Sequence, residues 1–193
     1  MPDESPATGL RDRLPLLLIV AALALTVAAI AAVVVLAGRQ AAQHDVPDTG
    51  PLAVPAVDAP GAGGRSCSVL MSALPDDLSG LARRQLTGAQ PGVAAWGDPP
   101  LVLRCGLSDP AELTCSARLM QFTDASGGSV SWLQLSDPSA VTYIAVDRPV
   151  RIAVTVPPGS GMGPIQQLSE LIAADLPSRP VCDNGGVVPP DNG

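Results

Sequence analysis

His44 is the only histidine in this chain of 193 residues, and there is no lysine at all. Nucleophilic catalysis of the Ser-His-Asp or Cys-His kind needs an imidazole within hydrogen-bond reach of the nucleophile. His44 sits in a Pro- and Gly-rich stretch, so neither arrangement is expected inside a folded domain, and Ser-Lys variants have no lysine to use. Two carboxylates in a glycosidase-like pair remain conceivable. The candidates are Asp76, Asp77, Asp98, Asp109, Glu112, Asp124, Asp137, Asp147 and Glu170. Most adjoin Pro, Gly or Ser, the setting of solvated caps and turns, so no catalytic residue is assigned. The chain holds no phosphate loop, dinucleotide fingerprint or calcium loop, and no cofactor is expected.

The densest unusual stretch is Ala94-Ala-Trp-Gly-Asp-Pro-Pro-Leu-Val-Leu-Arg-Cys-Gly106. Trp96 with Arg83, Arg84 or Arg104, and with Asp98 beside them, could form a pocket for an anionic or peptide ligand. The plainer reading has Trp96 covering the end of a core, Gly97 taking a positive φ and Pro99-Pro100 leading into an edge strand. Arg148 and Arg151 flank a strand and read as solvated, or as paired with nearby carboxylates. Solvent-exposed, clustered Trp96 and Arg104 would favour a binding site, and their burial a structural role.

Four cysteines, Cys67, Cys105, Cys115 and Cys182, lack the short paired spacing of a zinc site, so no metal is expected and two disulfides are. Three connectivities are open. The expected one is Cys105–Cys115, closing a short loop, with Cys67–Cys182 joining the ends of the domain, the long bridge contributing about 4 kcal/mol in the loop-entropy model.

These residues need a scaffold and an address. Residues 14–38 form an uncharged run of 25, flanked by Arg11 and Arg13 before and Arg39 after. Such a run is long enough to cross a bilayer with some tilt. It exceeds the apolar core of a cleaved signal peptide, and the small-residue exits lie at or beyond its far end, so it reads as an uncleaved single-pass anchor. Two arginines against one place the N-terminus in the cytoplasm and the remainder outside it. The division that follows is a cytoplasmic tail (1–13), the transmembrane anchor (14–38), a Pro/Ala/Gly-rich linker (39–65), an extracytoplasmic domain (66–182) and a disordered tail (183–193). The net charge of −7, with no basic run, argues against nucleic acid.

Within 66–182 the pattern is α+β. Ser66 is placed to cap a short helix over 67–74 that Pro75 stops, with a single turn opening at Asp76-Asp77. Strands are expected over 101–105, 117–123, 130–135, 140–146 and 150–156, and a last helix over 164–176 starts on Pro164. The order fits an antiparallel sheet of four or five strands with two or three helices on one face.

As a set, Cys67 with Leu70 and Leu74-Pro75, Arg83-Arg84, Ala94-Ala-Trp-Gly-x-Pro-Pro, Leu103-Arg-Cys-Gly106, Val130-x-Trp132, Arg148, Val154-x-Val156-Pro157 and Leu176-Pro177 resemble the actinobacterial DUF3515 family. The Trp-Gly and Leu-Arg-Cys-Gly block is the most specific part, and Cys115 falls outside the pattern. The resemblance implies single-span or secreted proteins and supplies no reaction, cofactor or site. The expectation is therefore a membrane-anchored, extracytoplasmic interaction or scaffolding module of the bacterial cell envelope, with an unidentified envelope protein as partner. The alternatives are a small-ligand binder or carboxylate-dependent enzyme acting on an envelope substrate, and a passive structural protein.

Overall fold

Apolar residues on every second position drive the middle of the chain into strands, and Pro and Gly punctuate them. The computed structural model describes residues 23–25, 27–33, 50–88 and 90–191. The chain divides into two units, Met1–Asp48 and Thr49–Gly193. In the first, residues 23–25 and 27–33 are helical with exposed side chains. Among the described residues no helix is long and apolar enough to cross a membrane. The rest of the expected span 14–38, with residues 1–13 and 39–49, lies outside the described residues.

The second unit begins its regular structure with helix α1 (Arg65–Ala73) and a small hairpin of β1 (Asp77–Leu78) and β2 (Leu81–Ala82). There follow β3 (Val93–Trp96), β4 (Leu101–Leu107), β5 (Leu119–Thr123), β6 (Ser129–Ser136), β7 (Val141–Ala145) and β8 (Arg151–Val156). Helix α2 (Gly163–Asp175) and a hairpin of β9 (Cys182–Asp183) and β10 (Gly186–Val187) complete it. Strands β3 to β8 form one six-stranded antiparallel sheet in the order β3-β4-β8-β7-β6-β5.

One face of the sheet carries Trp96, Leu101, Leu103, Trp132, Ile152 and Val154, and both helices pack on it through Cys67, Leu70, Ile165, Leu168 and Ile172. Full burial of each large aliphatic side chain here contributes roughly 1.5–3 kcal/mol. The two indoles keep their N–H groups satisfied: Trp96 Nε1 donates to the Pro75 carbonyl at 2.9 Å, and Trp132 Nε1 donates to Ser169 Oγ at 2.9 Å.

Irregular chain covers the opposite face. Val54 packs on Ala95 and Val102. Leu113 closes over Leu133, Ile144, Val146 and Ala153, with Val181 and Val187 beside it. The connection from β4 thus crosses the sheet to β5 at the far edge and buries apolar side chains as it goes.

Several expectations change. The sheet gains a sixth strand, β3, at an edge; Ala94 and Ala95 have little intrinsic strand preference, and only their pairing with Leu103 and Val102 reveals it. Asp77 opens no helical turn and instead pairs with Ala82 in the β1–β2 hairpin. Gly64, not Ser66, is the N-cap of α1, and no side chain caps it.

The disulfides are Cys67–Cys105 and Cys115–Cys182, with Cα–Cα separations of 5.7 and 5.8 Å, not the expected Cys105–Cys115 and Cys67–Cys182. Alternation along β4 turns Cys105 to the helix face with Leu103, towards Cys67 of α1. Cys115 belongs to the chain covering the other face, where Cys182 arrives with the C-terminal segment. A short-loop bridge would have had to pass through the sheet.

The described parts of the segments read as linker and tail, 50–65 and 183–191, are also held. From 50 to 64, Leu52 N–H donates to the Gln85 carbonyl and Gly61 N–H to the Gly106 carbonyl, strapping this stretch across β3 and β4. The C-terminal segment forms the β9–β10 hairpin, and Asp191 N–H donates to the Pro149 carbonyl.

Candidate functional site

The residues proposed for a composite pocket are near in sequence but divided by the sheet. In β3, Ala94 and Trp96 point to the helices, while Val93 and Ala95 face the strap. Trp96 is 0% exposed and pairs with Leu101, whereas Arg104 lies opposite Val93 on the other face. Trp96 is therefore a core residue that no ligand reaches.

Arg83 and Arg84 are likewise committed. The Arg83 guanidinium lies 5.5 Å from the Trp96 ring centroid, where a cation is attracted to the indole face, and it donates to the Leu74 carbonyl. Arg84 donates to the carbonyls of Gly97 and Gly50, tying the start of the strap to the β3–β4 turn. Asp98 is exposed in that same turn. Of the five, Arg104 lines an open space.

That space is a cleft of about 350 Å³ between the strap and the β3–β4 edge, lined by Val57, Ala59, Ala62, Gln90, Pro91, Val93 and Arg104 among others. Its size is at the lower end for small-ligand sites, and its lining follows their usual form of apolar walls with few polar groups. Arg104 Nη2 donates to the Pro55 carbonyl at a long 3.4 Å, and its Nε is buried with no acceptor. Burial pulls the guanidinium pKa down from its ordinary value, yet an arginine keeps its charge at any physiological pH. The ion pairs among the described residues are Arg148–Asp147, Arg151–Asp109 and Arg179–Asp191. Among the described residues Arg104 has no carboxylate of its own. Gln90 donates its side-chain N–H to the Val54 carbonyl and so anchors the strap at the cleft's edge.

Two glycines let the strap come this close. Gly106 has φ +93°, and a Cβ there would stand 2.2 Å from the Ala62 nitrogen. Gly92 has φ +70°, and a Cβ there would stand 3.2 Å from the Ala62 Cβ of the strap and 2.7 Å from the Cys105 carbonyl oxygen of β4. The Leu103-Arg-Cys-Gly106 block thus divides its labour. Leu103 fills the core, Arg104 lines the cleft, Cys105 bridges to α1 and Gly106 leaves room for the strap.

Four further ionisable groups take structural parts. Arg148 and Arg151, each 2% exposed, are paired with carboxylates, one of the two expectations, and are buried where the other had them solvated. Arg148 donates to the carbonyls of Asp147 and Ser129. Asp124 and Asp137 close the β5–β6 and β6–β7 connections. Their carboxyls are held below the usual range chiefly by the hydroxyls of Ser126 and Ser139 and also by nearby backbone N–H groups. Among the described residues no three His, Cys, Asp or Glu side chains converge to hold a metal ion.

Gln90, Val57 and Ala62 were not legible as site residues. They lie in stretches whose Pro and Gly content reads as linker or loop, and only the fold brings them to Arg104.

A family model described as a protein of unknown function, DUF3515, matches residues 23–181. No curated protein and no solved structure matches the chain.

Proposed function

The chain belongs to the DUF3515 family, whose description assigns no activity, and from that premise we propose a membrane-anchored, extracytoplasmic binding module of the bacterial cell envelope. The observation that carries this reading is Arg104, a guanidinium with no carboxylate partner among the described residues, set in a mostly apolar cleft. A half-desolvated cation is poorly served by its present contacts and gains most from an anionic group brought by another molecule.

Two further features support the setting. Both disulfides lie in the folded unit, which suits an oxidising compartment. The uncharged run 14–38, with Arg11 and Arg13 before it, fits an anchor whose following chain lies outside the cytoplasm. The role is that of a holder for an envelope partner, engaged through the cleft.

The test is site-specific photocrosslinking of the full-length chain in cells. A photoreactive residue at Val57, on the cleft rim, is compared with one at Ser126 in the β5–β6 connection. A discrete product from position 57, absent from position 126 and lost on Arg104→Gln, is the expected outcome. Equal capture at both positions, capture indifferent to Arg104, or none would overturn it.

A further inference from the structure

We propose that the Arg104 cleft recognises the C-terminal carboxylate of a peptide chain whose last side chain is small and apolar. The inference rests on the reading of the cleft as the binding face and adds the chemistry of the ligand.

Charge decides most of it. The cleft offers one guanidinium, and among the described residues no acidic or second basic residue lines it. A single planar fork matches a single carboxylate, whose two oxygens accept parallel N–H bonds from one arginine. A phosphate would bring a second charge with nothing to meet it. A free amino acid would bring an ammonium group that no carboxylate in the cleft could pair. The terminal residue of a peptide has neither defect, because its nitrogen is a neutral amide.

Shape agrees. The cleft is partly open to solvent, so the rest of a chain can leave it while the last residue stays. Val57, Ala62, Pro91 and Val93 give apolar walls suited to a small side chain. Gln90 uses its amide N–H on Val54, and its amide oxygen is an acceptor suited to a peptide N–H. Asp58 lies on the same strap but does not line the cleft, so it does not repel an entering carboxylate at contact.

The experiment is an NMR titration of the isotopically labelled full-length chain in detergent with N-acetyl-Gly-Val-Ala as its free acid. Its C-terminal amide, free alanine and inorganic phosphate are titrated in parallel. The acid is expected to shift the signals of Gln90, Val93 and Arg104 in a saturable way. The amide, and the acid with Arg104→Gln, should bind at least about tenfold more weakly, and Arg104→Lys should fall between. Retained α2 and β7 signals certify that each variant is folded. Equal binding of the amide, equal binding by Arg104→Gln, phosphate or alanine matching the acid, or no binding of the acid would each overturn the proposal. If the acid fails while position 57 still captures a partner in an Arg104-dependent way, the ligand chemistry falls and the cleft as binding face stands. If both fail, both fall.

Discussion

Arg151 Nε donates to Asp109 Oδ1 at 2.6 Å, joining residues 42 apart in sequence. The same guanidinium donates through Nη1 to the Val146 carbonyl and through Nη2 to the Val188 carbonyl. One side chain on β8 therefore fastens two of the three pieces of chain that cover the outer face of the sheet, the 108–118 connection and the C-terminal segment. Replacing it leaves the three acceptors without their common donor.

Arg151→Met should accordingly destabilise the domain by about 3–5 kcal/mol, the usual cost of breaking a buried, hydrogen-bonded charge. Asp109→Asn keeps an amide oxygen to accept from Arg151 Nε, and the guanidinium keeps its carbonyl acceptors, so it should cost less. Denaturant midpoints of the two variants and the wild type give the comparison. Equal, small losses would mean that the covering segments hold without this hub.

Reduction should proceed in a fixed order. Cys67 and Cys105 are 0% and 1% exposed, whereas Cys115 is at the surface. Thiol attack requires access to sulfur, so mild reductant should open Cys115–Cys182 first, as read by alkylation and peptide mass mapping. Loss of each bridge is worth about 4 kcal/mol in the loop-entropy model, with loops of similar length order. Simultaneous reduction would indicate that the domain opens globally before either sulfur is reached.

Acid should loosen two specific turns. The carboxyls of Asp124 and Asp137 titrate below the ordinary carboxylate range because the hydroxyls of Ser126 and Ser139 and nearby backbone N–H groups favour the ionised form. Their contribution is complete above about pH 4, the unfolded value, and is lost as pH falls through the depressed folded values. A double variant, Asp124→Asn with Asp137→Asn, should unfold at lower urea than wild type at pH 7, and the gap should close in strong acid. A gap that stays constant with pH would remove the carboxylate charge as its cause.

How much of this was legible depended on the range of the signal. Alternation in Arg151-Ile-Ala-Val-Thr-Val156 and the Pro164 start of α2 are local, and both elements appear where the pattern puts them. Face assignment was the weak step. Trp96 and Arg104 look like neighbours in sequence because nothing local says that a turn at Gly97–Pro100 will pair Trp96 with Leu101 and set Arg104 on the other side. The expected disulfides fail for the same reason, since Cys105 and Cys115 are ten residues apart yet serve opposite faces. The strap reads as free chain because Pro and Gly mark loops whether or not a loop is docked. Its docking depends on Gly106 and Gly92, which the pattern offers only as glycines.

That docking can be tested at Gly106. Its φ of +93° is one that a residue with a side chain adopts only under strain, costing of order 1–3 kcal/mol. A methyl group there would in addition meet the Ala62 nitrogen at 2.2 Å and the Gly61 carbonyl carbon at 2.4 Å, both backbone atoms. Gly127 supplies the control, because its φ is +89° and a Cβ there meets nothing within 4 Å. Gly127→Ala should therefore show the conformational cost alone. Gly106→Ala should cost at least about 2 kcal/mol more, since the strap must lift and the bond from Gly61 N–H to the Gly106 carbonyl must break. Lifting the strap should also make residues 50–63 susceptible to limited proteolysis while β5–β8 stay protected. It would remove one wall of the cleft, so photocrosslinking from position 57 should be lost as well. If the two alanine variants unfold at the same denaturant concentration, the strap lies on the sheet without contributing to it.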